Sequence, residues 1–309
     1  MKLFNNTPNS SFCSMELGPE GLAVAYSSNP KTREFSLCEF YPREKSAGND
    51  LEQFKNLLLN VVSRYHLKQT KCNWVLHPDC YKIAMLKTPN VARTEYRKAV
   101  RWQVKDIIDY PLEDVAVDIF YPHALEQIPK KIFVVAAQQR WLKEVATIIR
   151  ECALKLVAID IRQFALRNLI VTNPAEKNAN QNVGILELID NNCVTTLLHG
   201  RDIHLVRKFP INMEKLRQGN HGELCEELQR SFDYCVTELE GPIPQKLWFL
   251  PHEAFTQEII DKIGGHLNQS AALINLNNLV KFTPPPSSDH GDHYHAVLGG
   301  ALRTLGTEE

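Results

Sequence analysis

The chain has 309 residues, 44% hydrophobic and 23% charged, an ordinary globular composition at a length that suits two lobes better than one small core. Its 35 lysines and arginines almost cancel 36 aspartates and glutamates, which excludes the broad positive field that indiscriminate binding of nucleic acid or anionic lipid requires. No run of about 18 apolar residues is present to cross a bilayer, and residues 1–11 are polar and rich in Asn and Ser rather than signal-like, so the expected location is the cytoplasm.

In chain order, Phe12–Leu17 and Leu22–Tyr26 read as strands joined by Gly18-Pro19-Glu20-Gly21. A third strand, Glu34–Phe40, follows the turn signal Ser28-Asn29-Pro30-Lys31. Leu51, Phe54, Leu57, Leu58, Val61, Val62 and Tyr65 recur at helical spacing, and the short apolar strand Asn73–Leu76 follows. An inserted segment at about 83–152 then predicts a helix with Tyr96, Val100, Val104, Ile107 and Ile108 on one face. It continues with strands Val115–Tyr121 and Lys131–Ala137 and a second helix bearing Trp141, Leu142, Val145, Ile148, Ile149 and Cys152. Helix, strands and helix are enough for a small α+β subdomain.

Residues 173–182 are polar and read as a linker, after which the same order returns. Val183–Ile189, Cys193–His199 and Ile203–Phe209 are three strands, joined by Asp190-Asn191-Asn192 and Gly200-Arg201-Asp202. Leu224, Leu228, Phe232, Cys235, Val236 and Leu239 line one helix face, and Lys246–Leu250 forms the next strand. Strand, strand, strand, helix, strand therefore occurs twice. That unit is the core of a ribonuclease-H-like fold, and two copies across a cleft make an actin-like α/β architecture. The expected lobes are 12–172, carrying the insertion, and 183–303, with tails at 1–11 and 304–309.

The eight cysteines form no C-x-x-C pair and fall mostly within apolar strands and helix faces, so they read as reduced, buried thiols. The tract Asp289-His290-Gly291-Asp292-His293-Tyr294-His295 is dense in potential metal ligands. It follows Pro284-Pro285-Pro286 and reads as a polar linker into the last helix, with no metal expected, because no second cluster completes a closed shell. No G-x-S-x-G, H-E-x-x-H, Walker or G-x-G-x-x-G pattern is present, so the chain reads as a binding scaffold rather than an enzyme.

The stretch Ala99-Val100-Arg101-Trp102-Gln103, with Asp109-Tyr110-Pro111-Leu112-Glu113-Asp114 and Asp118, resembles the inserted subdomain of the PilM-like family of type IV pilus assembly. Its wording is most similar to the branch that serves the mannose-sensitive haemagglutinin (MSHA) pilus. Phe133–Ala137, Asp160-Ile161-Arg162-Gln163-Phe164-Ala165, Leu228–Tyr234 and Leu298-Gly299-Gly300-Ala301-Leu302-Arg303 fit in the same order, so the resemblance spans most of 12–303. It implies a cytoplasmic actin-like adaptor, held at the inner membrane by binding the short cytoplasmic N-terminal segment of a PilN-like membrane protein. It also implies a peptide groove between the insertion and the first lobe. Trp102 is the expected anchor and Arg101, Lys105, Asp109 and Tyr110 the expected rim, since aromatic and Arg side chains dominate interface hot spots.

Actin-like folds hold ATP between two phosphate-embracing turns, and PilM-like proteins resemble Asp-Ile-Gly-Ser there. This chain reads Glu16-Leu17-Gly18-Pro19 and Glu187-Leu188-Ile189-Asp190 instead. Glu16 and Glu187 stand where the aspartates would, Pro19 removes an N–H donor, Ile189 replaces glycine, and Glu20 and Asp190 add negative charge. Pro251-His252-Glu253 follows Lys246–Leu250 in place of a glycine-rich turn, with Pro251 and Glu253 poorly suited to a nucleotide. No cofactor is therefore expected. Two alternatives are a working ATPase or kinase on this scaffold, and the cytoplasmic part of a type II secretion assembly protein, which normally continues into a membrane span.

Overall fold

The structure, a computed structural model, describes residues 11–43, 50–122, 130–171, 181–189, 191–286 and 293–303. In the first half β1 (Phe12–Leu17), β2 (Gly21–Ser27), the two-residue β3 (Glu34–Phe35) and β4 (Leu37–Pro42) precede α1 (Asp50–Arg64) and β5 (Lys71–Leu76). Then come β6 (Tyr81–Lys87), α2 (Tyr96–Gln103), β7 (Val115–Phe120), β8 (Lys131–Gln138), α3 (Gln139–Glu151), β9 (Lys155–Ile161) and α4 (Arg162–Val171). The main sheet runs β4-β2-β1-β5-β9, antiparallel through the meander and parallel from β1 onward. α1 buries Phe54, Leu58, Val61 and Val62, one helical stripe, against the sheet residues Met15, Val24 and Trp74.

The second half repeats this plan. β10 (Asn182–Ile189), β11 (Asn192–His199), β12 (Asp202–Pro210), α5 (Met213–Arg217), α6 (Gly222–Leu239), β13 (Lys246–Phe249), α7 (Gln257–Leu267) and β14 (Ser270–Leu273) follow one another. Their sheet order is β12-β11-β10-β13-β14, the same meander extended by two parallel strands. Leu228, Phe232 and Cys235 of α6 and Ile260 and Ile263 of α7 bury against Leu186, Leu197 and Phe249. α8 (Leu276–Leu279), β15 (Lys281–Phe282) and α9 (Tyr294–Ala301) complete the chain.

The insertion is smaller than the sequence suggests. Its sheet is β6-β8-β7, antiparallel throughout, and it includes β6, for which the sequence reading had no strand. β8 alternates faithfully: Ile132, Val134 and Ala136 pack with Tyr96 and Val100 of α2, whereas Phe133 faces Leu166 and Ile170 of α4. The expected second helix, α3, belongs elsewhere. Its Val145, Ile149 and Cys152 sit in the first lobe's core with Trp74 and α1, because α3 is the crossover that lets β9 run parallel to β5.

The last helix also crosses the expected boundary at 183–303. Every residue of α9 is buried, and Tyr294, Val297 and Leu298 pack with Phe12, Ala23 and Ala25 of the first sheet rather than with the second lobe. Two glycines make the approach possible. A Cβ on Gly299 would lie 1.9 Å from the Ala165 carbonyl oxygen, and one on Gly300 would lie 2.3 Å from Ser14 Oγ. β15 pairs with β3 beside it, so β15 and α9 both close back onto the first lobe.

Candidate functional site

Two concave regions lie between the elements just described. The first is the cleft between the lobes, where β1 and β10 end. Glu16 and Glu187 are the corresponding residues of these strands, 5% and 4% exposed. The structure brings them together around Arg162, the first residue of α4, itself 8% exposed. Arg162 Nη1 donates to both Glu16 carboxylate oxygens at 2.6 and 2.7 Å, and Nε donates to Glu187 Oε1 at 2.6 Å. Burial works against the guanidinium's charge, but the two carboxylates outweigh it and hold its pKa above the ordinary value.

The Arg162 guanidinium fills the place between the two strand ends, and two buried carboxylates against one guanidinium repel further anions. The first turn has little to offer phosphate: Gly18 N–H already donates to the Gly21 carbonyl at 2.9 Å, and Pro19 has none. Glu20 contacts His293 at 3.2 Å, and the His293 ring stacks on Phe40 with centroids 3.9 Å apart. What remains is a cavity of about 300 Å³, lined in part by Glu16, Pro19, Ile189 and Pro251. Gly18, Ile189 and Pro251 are among its lining residues, and Asp190 lies outside the described residues.

Glu253 is a correction. It does not line the cavity; it turns outward to α5, where Arg217 Nη2 lies 2.5 Å from its Oε1. That hydrogen bond and charge hold the Glu253 carboxyl below its ordinary range. Arg162 is the residue that sequence reasoning missed. Its signals were its place in the stretch Asp160–Ala165 and at the start of a helix directly after the strand 155–161, neither of which says how far a side chain reaches.

The second concavity, of about 720 Å³, separates β7 of the insertion from β9 of the first sheet and extends to the β11–β12 turn at Arg201 and Asp202. Both strands are the last in their sheets, so each presents an unpaired ladder edge among the described residues. Val157 and Ile159 on β9 are 44% and 40% exposed. Val117, Ile119, Phe120, Phe164 and Ile159 supply apolar surface within the groove. Arg97 faces Asp118 at 2.7 Å on one wall. On the other, buried Asp160 accepts from Asn73 Nδ2 at 2.9 Å and pairs with Arg303, fixing the segment after α9 to β9.

The expected docking residues lie outside this groove. Trp102 is 72% exposed and does not line it; the α2 residue that does is Arg97. Arg101 donates to the Leu112 and Glu113 carbonyls at 3.0 and 3.1 Å, bracing the segment before β7. Lys105 and Asp109 are exposed. Tyr110 packs into the insertion's own core, and burial pushes its hydroxyl up to about 12. The physical reason is helical: Arg97 and Arg101 share one face, and Trp102 stands about 100° further round.

In the histidine-rich tract, His295 is buried within α9 and His293 contacts Glu20, while His290 lies outside the described residues. Among the described residues one grouping of metal-ligating side chains occurs elsewhere, at His221, Cys225 and His266. No described helix is long and apolar enough to cross a membrane.

No protein-family model and no curated protein sequence matches the chain. Solved structures do. The chain is similar to a PilM–PilN type IV pilus biogenesis complex, with TM-score 0.70 and 16% identity over 96% of this chain and 98% of that one. A Bacteroides thetaiotaomicron protein with an actin-like ATPase fold and unknown function gives TM-score 0.53 at 11% identity over 91% and 96%. The cytoplasmic domain of EpsL, an inner-membrane component of the type II secretion system of Vibrio cholerae, gives 0.51 at 13% over 87% and 92%. The fold is actin-like, two copies of one sheet plan flanking a cleft.

Proposed function

We propose that an actin-like scaffold with a charge-locked cleft and an open two-edged groove serves as a peptide-binding adaptor of type IV pilus biogenesis. In this reading it is a cytoplasmic, PilM-like protein of the MSHA (MshI-like) branch. It sits peripherally at the inner membrane by holding the cytoplasmic N-terminal segment of a PilN-like protein. It neither binds nor hydrolyses ATP. The observation that carries the reading is the facing of two unpaired strand edges, β7 and β9, across one groove in which Ile159 is exposed. An extended peptide entering there gains main-chain hydrogen bonds from an edge and alternate side-chain contacts from the apolar wall. The likeness to a PilM–PilN complex supports the choice of partner, and the Glu16–Arg162–Glu187 cluster supports the exclusion of nucleotide.

The test is calorimetry of the full chain with a synthetic peptide covering the cytoplasmic N-terminus of the PilN-like protein encoded with it. A micromolar Kd, about −8 kcal/mol, is expected. Absence of binding at hundreds of micromolar would remove the adaptor reading.

A further inference from the structure

A cluster unrelated to either concavity lies on the second lobe, where α6 begins and α7 ends. His221 immediately precedes α6, Cys225 follows four residues later on the same helix face, and His266 lies in the last turn of α7. One ligand atom from each side chain lies within 4.8 Å of the other two. The two imidazole rings are perpendicular, with centroids 6.0 Å apart. Cys225 is 1% exposed, His221 is half-buried and His266 is exposed. His221 Nδ1 lies 3.3 Å from the Gly219 carbonyl oxygen. In metal sites such a contact sets the tautomer and ring orientation and leaves Nε2 for the cation.

We propose that His221, Cys225 and His266 form a zinc site that ties α6 to α7. Two imidazoles and a thiolate are the donors zinc takes at about 2.0–2.3 Å, and a tetrahedral shell spaces such atoms by about 3.3–3.7 Å. Rotamer adjustment at exposed His266 closes the remaining distance. The donor set contains no oxygen, which disfavours magnesium and calcium. The grouping holds no fourth His, Cys, Asp or Glu among the described residues, so water or a partner's side chain completes the shell. The site would pin α7, the crossover between β13 and the edge strand β14, to the first turn of α6.

The experiment uses the tag-free full chain, titrated with Zn²⁺ against a chromophoric chelator and with Co²⁺ as a spectroscopic stand-in. One equivalent of Zn²⁺ should bind with submicromolar Kd and raise Tm by several degrees at a hundredfold excess over Kd. Co²⁺ should give a thiolate-to-metal charge-transfer band together with tetrahedral d–d absorption. His266→Ala, at an exposed position that leaves the core intact, should weaken Zn²⁺ at least a hundredfold. Cys225→Ser should abolish the charge-transfer band. A double variant, His290→Ala with His293→Ala, should retain the metal and so separates this site from the histidine-rich tract. Zn²⁺ binding no tighter than ten micromolar, or one equivalent surviving His266→Ala, would overturn the proposal.

Discussion

The interlobe cleft and the β7–β9 groove treat their polar groups in opposite ways. In the cleft the strand ends of two lobes bring two carboxylates into burial, and Arg162 satisfies both from within the chain. At the groove two sheets simply stop, and their last strands leave ladder edges beside exposed Ile159. A concavity whose charges are already paired within the chain ties its walls together, whereas unpaired ladder edges are templates for further pairing. The second arrangement lies away from the cleft between the lobes.

The sharpest way to break this contrast is to remove the lock. Arg162→Met leaves Glu16 and Glu187 buried together without a counter-charge and should cost about 3–5 kcal/mol in urea denaturation at neutral pH. Replacing all three by Glu16→Gln, Arg162→Met and Glu187→Gln should recover most of that loss, since no buried charge is then unpaired. A single-variant loss below about 1 kcal/mol would mean that the cluster does not lock the cleft.

The groove should respond in binding rather than in stability. Ile159→Lys places a charge on the open edge, a substitution that natural edge strands use to refuse pairing. It should weaken the PilN-type peptide at least tenfold in calorimetry, about 1.4 kcal/mol or more. Trp102→Ala should stay within twofold of wild type, because Trp102 lies outside the groove. The reverse order of effects would move the docking surface onto α2.

The smallest expected effect is in the cleft itself. Millimolar Mg-ATP should leave Tm within about 1 °C of the ligand-free value, since a ligand that binds only the native state must raise it. A clear rise with Mg-ATP, absent with sulfate or AMP, would show that the cleft accepts nucleotide in spite of Arg162.

The repeated meander, helix and parallel strand were legible in the sequence because strand alternation and helical spacing are local patterns. Residues such as Phe54, Leu58 and Val61, or Leu228 and Phe232, announce their buried face without reference to the rest of the chain. The comparison with the PilM-like turns singled out Glu16, Pro19, Glu187 and Ile189 as departures from that pattern. Tertiary structure alone decided that Arg162 reaches both glutamates and that Glu253 turns away to Arg217. It also placed α3 in the first lobe's core, docked α9 through Gly299 and Gly300 onto α4 and β1, and set His266 beside His221 and Cys225. Each of these depends on which distant elements meet and on where a side chain points once they do. Periodicity carries neither, because it reports the face a residue occupies and not the partner opposite.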